Sequence, residues 1–351
     1  MDFDAARSQF PVLERYAYLN AGTNGPLPRS AVDAMERKLA QDRDEGRSGL
    51  PYIEEYIAQR QRLREAFAAV LATSPELVAL TDSTTRGCQT VLAGLDLGPE
   101  DEVVTTDQEH FGLLWPLQAS GVQIVKTAAD EDALLAAVTP RTRLVAVSHV
   151  LWTTGRKLDL ARLRLPDGPP LLVDGAQSAG AIPPDLAGAD FYTISAQKWL
   201  CGPEGTGALY VRDPERLRLA LPGHFSGVMY AAGGLEPKPG AARFDSGWTA
   251  GVTLAGLEAS LACHPEWRYA RAAEMAARCR ELLEPLVEVV TPPGHSTLVS
   301  FKPPGDPKEL VASLYERGVV VRDLPGASLV RASCGWWTNE DDLQRLAAGI
   351  A

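Results

Sequence analysis

The chain has 351 residues, 45% hydrophobic and 23% charged, with a net charge of −11. That length suits one large domain plus a smaller one, and the composition is that of an ordinary globular protein. The negative balance argues against nonspecific binding to nucleic acid or anionic membrane, and no apolar run approaches the length of a membrane-spanning helix. The start, MDFDAARSQF, lacks the basic and apolar regions of a signal peptide. Five scattered cysteines (Cys88, Cys201, Cys263, Cys279, Cys334) without a CxxC pair read as reduced thiols, hence a cytoplasmic setting. No GxSxG or HExxH is present, the five histidines lack ligand spacing, and GPEGTG at 202–207 does not fit a dinucleotide fingerprint.

In chain order, Tyr16–Leu19 reads as a short extended piece meeting a Gly/Asn/Pro turn cluster. Helices are predicted from Arg29 to Asp44 and from Leu50 to Ala72. Residues 77–95 read as strand, polar turn and helix. Ser83, Thr84 and Thr85 are good helix-capping residues, and a helix start rich in hydroxyls is an anion site through its free N–H groups and dipole. Arg86 beside them is either a ligand contact or a solvent-facing arginine. Val103–Thr106 is a strand leading to Glu109–His110, Gly121–Lys126 another, and Asp130–Val138 a helix. LVAVSHVLWTTG at 144–155 reads as a buried strand with His149 inside it, a satisfied core histidine or one supporting a site from behind.

The most informative stretch runs from Leu171 to Arg212. Two apolar runs end in polar residues, the first at Asp174 and the second at Ser195 just ahead of Lys198, and a third run (Ala208–Val211) follows a Gly-rich turn. Strand ends in a parallel sheet face the ligand crevice, so a carboxylate and a lysine would share one site. Only 7 of the 34 basic residues are lysines, so a lysine here is not compositional noise. Lysine can form a Schiff base with a carbonyl cofactor, and an acid such as Asp174 is the partner a pyridinium nitrogen needs.

The order and spacing of VDGAQSAG, SAQKW and GPEGTGALYV resemble the core of the class V aminotransferases, which include the cysteine desulfurases. The resemblance extends over nearly the whole chain. It implies the aspartate-aminotransferase-like fold, an α/β architecture with a mainly parallel sheet flanked by helices and a small α+β C-terminal domain. It implies pyridoxal 5′-phosphate (PLP) as cofactor and a homodimer with sites at the interface. The expected division is 1–30 as a segment over the active site, 31–221 as the PLP-binding domain, 222–251 as a loop towards the partner subunit, and 252–351 as the small domain. By the same resemblance Lys198 carries the cofactor and Asp174 faces its ring nitrogen. His110 stacks on the ring, Gln177 bonds its phenolic oxygen, and Thr84, Thr85 and Ser195 belong to the cofactor site. Gln197 stands where many relatives have His, and it can donate a hydrogen bond to phosphate without carrying charge.

The closing motif VRASCGWWTNEDDLQRL places Arg331 as the substrate-carboxylate arginine, and a guanidinium fork suits that task. Trp152 stands where desulfurases often have Asn, as a substrate-pocket residue. RFDSGW resembles the segment that crosses to the partner's cofactor phosphate, with Trp248 in place of Thr; Arg243 and Asp245 are an alternative structural ion pair. Trp115, Trp152, Trp248, Trp336 and Trp337 are candidates for a roomy apolar pocket, at least two of them being core. Further helices are predicted from Thr253 to Cys263 and Trp267 to Leu286, and strands at Val319–Arg322 and Leu329–Arg331.

The expected substrate is an α-amino acid whose amine displaces Lys198 from the cofactor, with the freed lysine as base at Cα. Desulfurases carry a nucleophilic cysteine just before the carboxylate arginine, and Arg322–Val330 contains none. β-Elimination of the C–S lyase type, or transamination, is therefore expected. Epimerisation or racemisation, a desulfurase without its usual loop cysteine, and a non-catalytic PLP-fold binding protein are the alternatives.

Overall fold

A computed structural model describes residues 1–228 and 234–351. Five residues of the expected loop at 222–251 (229–233) thus lie outside the described residues.

Among the described residues the central sheet has seven strands. Their order is Val78–Thr81, Gly207–Val211, Phe191–Ser195, Leu171–Asp174, Thr142–Ser148, Glu102–Thr106 and Gln123–Thr127. The last five of these pair in parallel, and only Gly207–Val211 runs against its two neighbours. The inner strands are buried along their length because helices cover both faces. One core cluster packs Leu63, Phe67 and Val173 on one face, and a second packs Val91, Leu113 and Leu172 on the other. Thr81, Ser195, Asp174, Ser148 and Thr106 close their strands at one common edge. The loops that carry Thr84, His110, Trp152, Gln177 and Lys198 leave from that edge.

A second, four-stranded antiparallel sheet orders Arg322–Leu324, Leu329–Ser333, Leu298–Lys302 and Glu288–Val289. The helices Arg268–Leu283, Pro307–Glu316 and Glu340–Ile350 pack with it around Phe301, Val330 and Leu346. No described helix is long and apolar enough to cross a membrane.

Several expectations are corrected. The strand expected over 144–155 ends at Ser148. Its apolar continuation turns back on itself, because Gly155 takes φ +70° and Val150 pairs with Lys157. Residues Phe111–Ala119 form an unexpected helix, capped by His110 and containing Pro116, a residue that argues against helix in sequence. The strand expected at Val319–Arg322 divides: Val319–Val320 pairs with Ala17–Tyr18, while Arg322–Leu324 pairs with Leu329–Ser333. Asp245 pairs with Arg60 and Arg64 rather than with Arg243, which reaches Glu215. Trp336 and Trp337 are core, packed on Phe10, whereas Trp115 and Trp248 are exposed.

Candidate active site

Lys198 sits in the turn directly after the strand ending at Ser195 and is half-buried. Desolvation dominates its environment and lowers the amine pKa to about 8; Asp174 opposes the shift, while Arg331 and Arg322 add to it. The amine is therefore far easier to deprotonate than an exposed lysine. Asp174 lies on the adjacent strand, paired in register with Thr193. Its Oδ1 accepts from the Ala176 N–H at 2.8 Å. Burial raises its pKa, and Lys198 pulls the other way.

At the neighbouring strand end, Ser83 caps the helix Thr84–Leu95 by accepting from the Arg86 N–H. Thr84 and Ser195 join this helix start to the lysine turn: their hydroxyls lie 2.6 Å apart, and the Thr84 N–H donates to Ser195 Oγ at 3.1 Å. Thr85 points towards the His110 turn, since a Cβ on Gly112 would lie 3.0 Å from Thr85 Oγ1 and 3.1 Å from His110 Nδ1. Arg86 is exposed and pairs loosely with Asp82 at 3.6 Å, the solvent-facing alternative.

His110 Nδ1 accepts from the Gly112 N–H at 3.0 Å, which fixes its ring at the start of the Phe111 helix. Trp152 meets that ring edge-on at 5.1 Å. Burial, then the nearby cations Lys198, Arg322 and Arg331, lower the His110 pKa to about 3. At neutral pH the imidazole is uncharged and has no second proton to give. Gln177 is held from both ends: it donates to the Gly22 carbonyl at 2.8 Å and accepts from Trp199 Nε1 at 3.1 Å. The N-terminal segment lies over this region, where a Cβ on Gly25 would overlap the Lys198 carbonyl and one on Gly22 would overlap the Arg331 guanidinium.

Arg331 is 1% exposed. Its Nη1 donates to the Trp152 carbonyl at 2.8 Å, and its Nε has no partner among the described residues. Arg322 stands directly opposite on the next strand and bonds Thr23 Oγ1 at 3.0 Å. Arg331 is influenced by its own desolvation and by Arg322, both of which work against its charge; no acid is among the causes. A buried arginine beside a second arginine without a carboxylate is costly unless a bound anion completes it. Arg322 escaped the sequence reading as a site residue. Its signal was available only once register was known, since it pairs across the ladder with Arg331.

Two further features bear on chemistry. Glu109 is buried, and desolvation raises its pKa to about 7 against hydrogen bonds from Ser148 and Thr106. It ties the ends of two sheet strands together. Cys334 is fully buried against Cys279, an environment that pushes its thiol well above the ordinary range, so it is no accessible nucleophile. No group of three or more metal-ligating side chains occurs among the described residues.

The family model for class V aminotransferases matches residues 17–346. The chain belongs to that family. Its cofactor is pyridoxal 5′-phosphate, and the protein is a PLP-dependent enzyme. Among its relatives, isopenicillin N epimerase of Streptomyces clavuligerus is 29% identical, over 99% of this chain and 98% of the relative. A probable cysteine desulfurase of Methanothermobacter thermautotrophicus is 30% identical over 60% of this chain and 56% of its own length. Among solved structures, the cystine C–S lyase C-DES in complex with its product cysteine persulfide is 30% identical, with a TM-score of 0.91 over 97% of this chain and 99% of that chain. C-DES has also been solved with glycine covalently linked to its PLP.

The residues present fit the cofactor. The buried amide oxygen of Gln197 and the buried Nε1 of Trp152 lack partners among the described residues. A buried acid, a depressed lysine, a neutral imidazole and a capped helix start converge beside them.

Proposed function

We propose that this PLP enzyme is a β-eliminating C–S lyase acting on a cysteine-derived amino acid, with a disulfide diacid of the cystine type as its preferred substrate. The observation that carries the reading is the Arg322–Arg331 pair: two arginines opposite each other on adjacent strands, one fully buried, with no acid within ion-pair distance of either among the described residues. The likeness to C-DES supports the same reaction. The absence of a cysteine between Arg322 and Val330, together with the burial of Cys334, speaks against a persulfide-forming desulfurase.

In this reading Lys198 holds the cofactor, with Asp174 at its ring nitrogen and His110 against its face. Thr84, Thr85, Ser195 and Gln197 take the phosphate end, and Gln177 takes the ring oxygen. When bound, PLP supplies a carbonyl for the substrate amine and a ring that withdraws electrons from Cα. Arg331 clamps the α-carboxylate, and Arg322 takes the second carboxylate. Trp152 walls the substrate side. Lys198, as a neutral amine, would be the base that takes the Cα proton. The electron pair of the broken C–H bond forms the Cα–Cβ double bond, the C–S bond breaks, and sulfur leaves with its electrons. Hydrolysis of the remaining fragment then gives pyruvate and ammonia. The reading includes a homodimer, with residues 222–251 directed towards the partner, and a reducing, cytoplasmic setting that suits five free cysteines.

The test is a reaction of the PLP-loaded enzyme with cystine and S-substituted cysteines in the absence of a keto acid. Pyruvate, ammonia and a released persulfide or thiol are expected, with the cofactor unchanged. A keto acid with the cofactor in its amine form would replace elimination with transamination. The same amino acid recovered with inverted Cα would replace it with epimerisation.

A further inference from the structure

A separate cavity of about 460 Å³ opens between the turn at 181–185, the helix Arg268–Leu283 and the loop ahead of the strand Leu298–Lys302. None of the residues placed in the cofactor site lines it. Its size is that of a small-molecule site.

Two of its lining side chains carry buried polar atoms with no partner among the described residues, His149 Nε2 and Thr297 Oγ1. Both residues are 1% exposed. An unpaired buried polar atom costs about 1–3 kcal/mol, so both atoms call for a partner from the cavity.

The protonation of His149 follows from its other nitrogen. In the proton arrangement on which the proposal rests, Ser178 donates to the Gly175 carbonyl at 3.2 Å and accepts from Tyr192, whose hydroxyl lies 2.5 Å away. With its proton committed there, Tyr192 can only accept from His149 Nδ1 at 3.3 Å. Nδ1 therefore carries the hydrogen, and Nε2 presents a bare lone pair. Burial lowers the ring's pKa to about 4, which keeps it neutral. The rest of the lining includes Ile182, Ala276 and the ring of Tyr269. The charged lining groups are not fully buried: Lys157 is exposed, and Asp185 and Arg280 are half-buried, with Arg280 held by Glu284 at 2.7 Å.

We propose that this cavity binds a small, uncharged aromatic molecule with an O–H or N–H donor, of the phenol or indole class. The donor meets His149 Nε2, Thr297 Oγ1 bonds the same polar end, and the ring lies on the apolar walls. A charged ligand would lose hydration against those walls without a buried counter-ion to meet it.

The test is calorimetric titration of the PLP-loaded enzyme with phenol and with toluene, which has the same ring and no donor. Phenol is expected to bind at least about tenfold more tightly, the worth of one good hydrogen bond. His149→Leu should bring the two close to parity. Ala277→Trp, at an exposed lining position on the helix, should block both while leaving turnover unchanged. Equal affinity for phenol and toluene, unaltered phenol binding in both variants, or a crystal grown in phenol with only water at His149 would each overturn the proposal.

Discussion

Two clusters of paired arginines lie in this protein and differ in one respect. Arg60 and Arg64 converge on Asp245, with N–O distances of 2.9 and 2.8 Å, and Asp245 also accepts from the Leu80 N–H. That cluster is complete within the chain. Arg322 and Arg331 also stand side by side, but their partners are the Thr23 hydroxyl and the Trp152 carbonyl, both neutral. Charge buried with a counter-ion serves the fold. Charge buried without one is stable only when something else brings the counter-ion, and in the proposed function that is the substrate.

The comparison can be broken from either side. The largest effect is expected at Asp245→Asn. It strands two buried guanidinium groups and should cost about 3–5 kcal/mol of stability in denaturant unfolding. Loss of activity without loss of stability would mean that the cluster is not structural. Next is Arg331→Met. It should lower kcat/KM by on the order of 10²–10³, the equivalent of about 3–4 kcal/mol and in the range for a buried charge partner, with stability unchanged or improved. A marked fall in stability would place Arg331 with the structural pair. Arg322→Met should cost a diacid substrate about tenfold, or ~1.4 kcal/mol, and a monoacid little. The smallest effect is a thermal shift: a dicarboxylate such as succinate should raise the melting temperature of wild type by a few degrees and leave Arg331→Met unmoved.

The lysine turn makes its own prediction about pH. A neutral amine is the reactive form, and the pKa of Lys198 is lowered to about 8. The rate at which PLP combines with the apoprotein should therefore rise through pH 8 and then level off. A rise that continues to pH 10 would indicate an ordinary, solvated lysine.

Much of this was legible in the sequence because local pattern and chemistry agreed. The strands ending at Asp174 and Ser195 are short apolar runs cut off by polar residues, and Ser83 ahead of Thr84 announced its helix. Class V membership followed from the same motifs. What stayed hidden depends on tertiary neighbours. The run at 144–155 keeps its apolar character after Ser148 because the turn at Gly155 is itself buried. Pro116 masked a helix whose capping residue is His110. Asp245 lies two residues from Arg243, but its partners are Arg60 and Arg64, far away in the chain. Arg322 acquires meaning only through a strand register that places it opposite Arg331.

The most direct test of the central claim is the ratio of kcat/KM for cystine to that for an S-alkyl cysteine, followed by pyruvate release, in wild type and Arg322→Met. The account predicts that wild type prefers cystine, that pyruvate forms with both, and that the substitution erases about tenfold of the preference. An unchanged ratio, or consumption of both substrates without pyruvate, would contradict it.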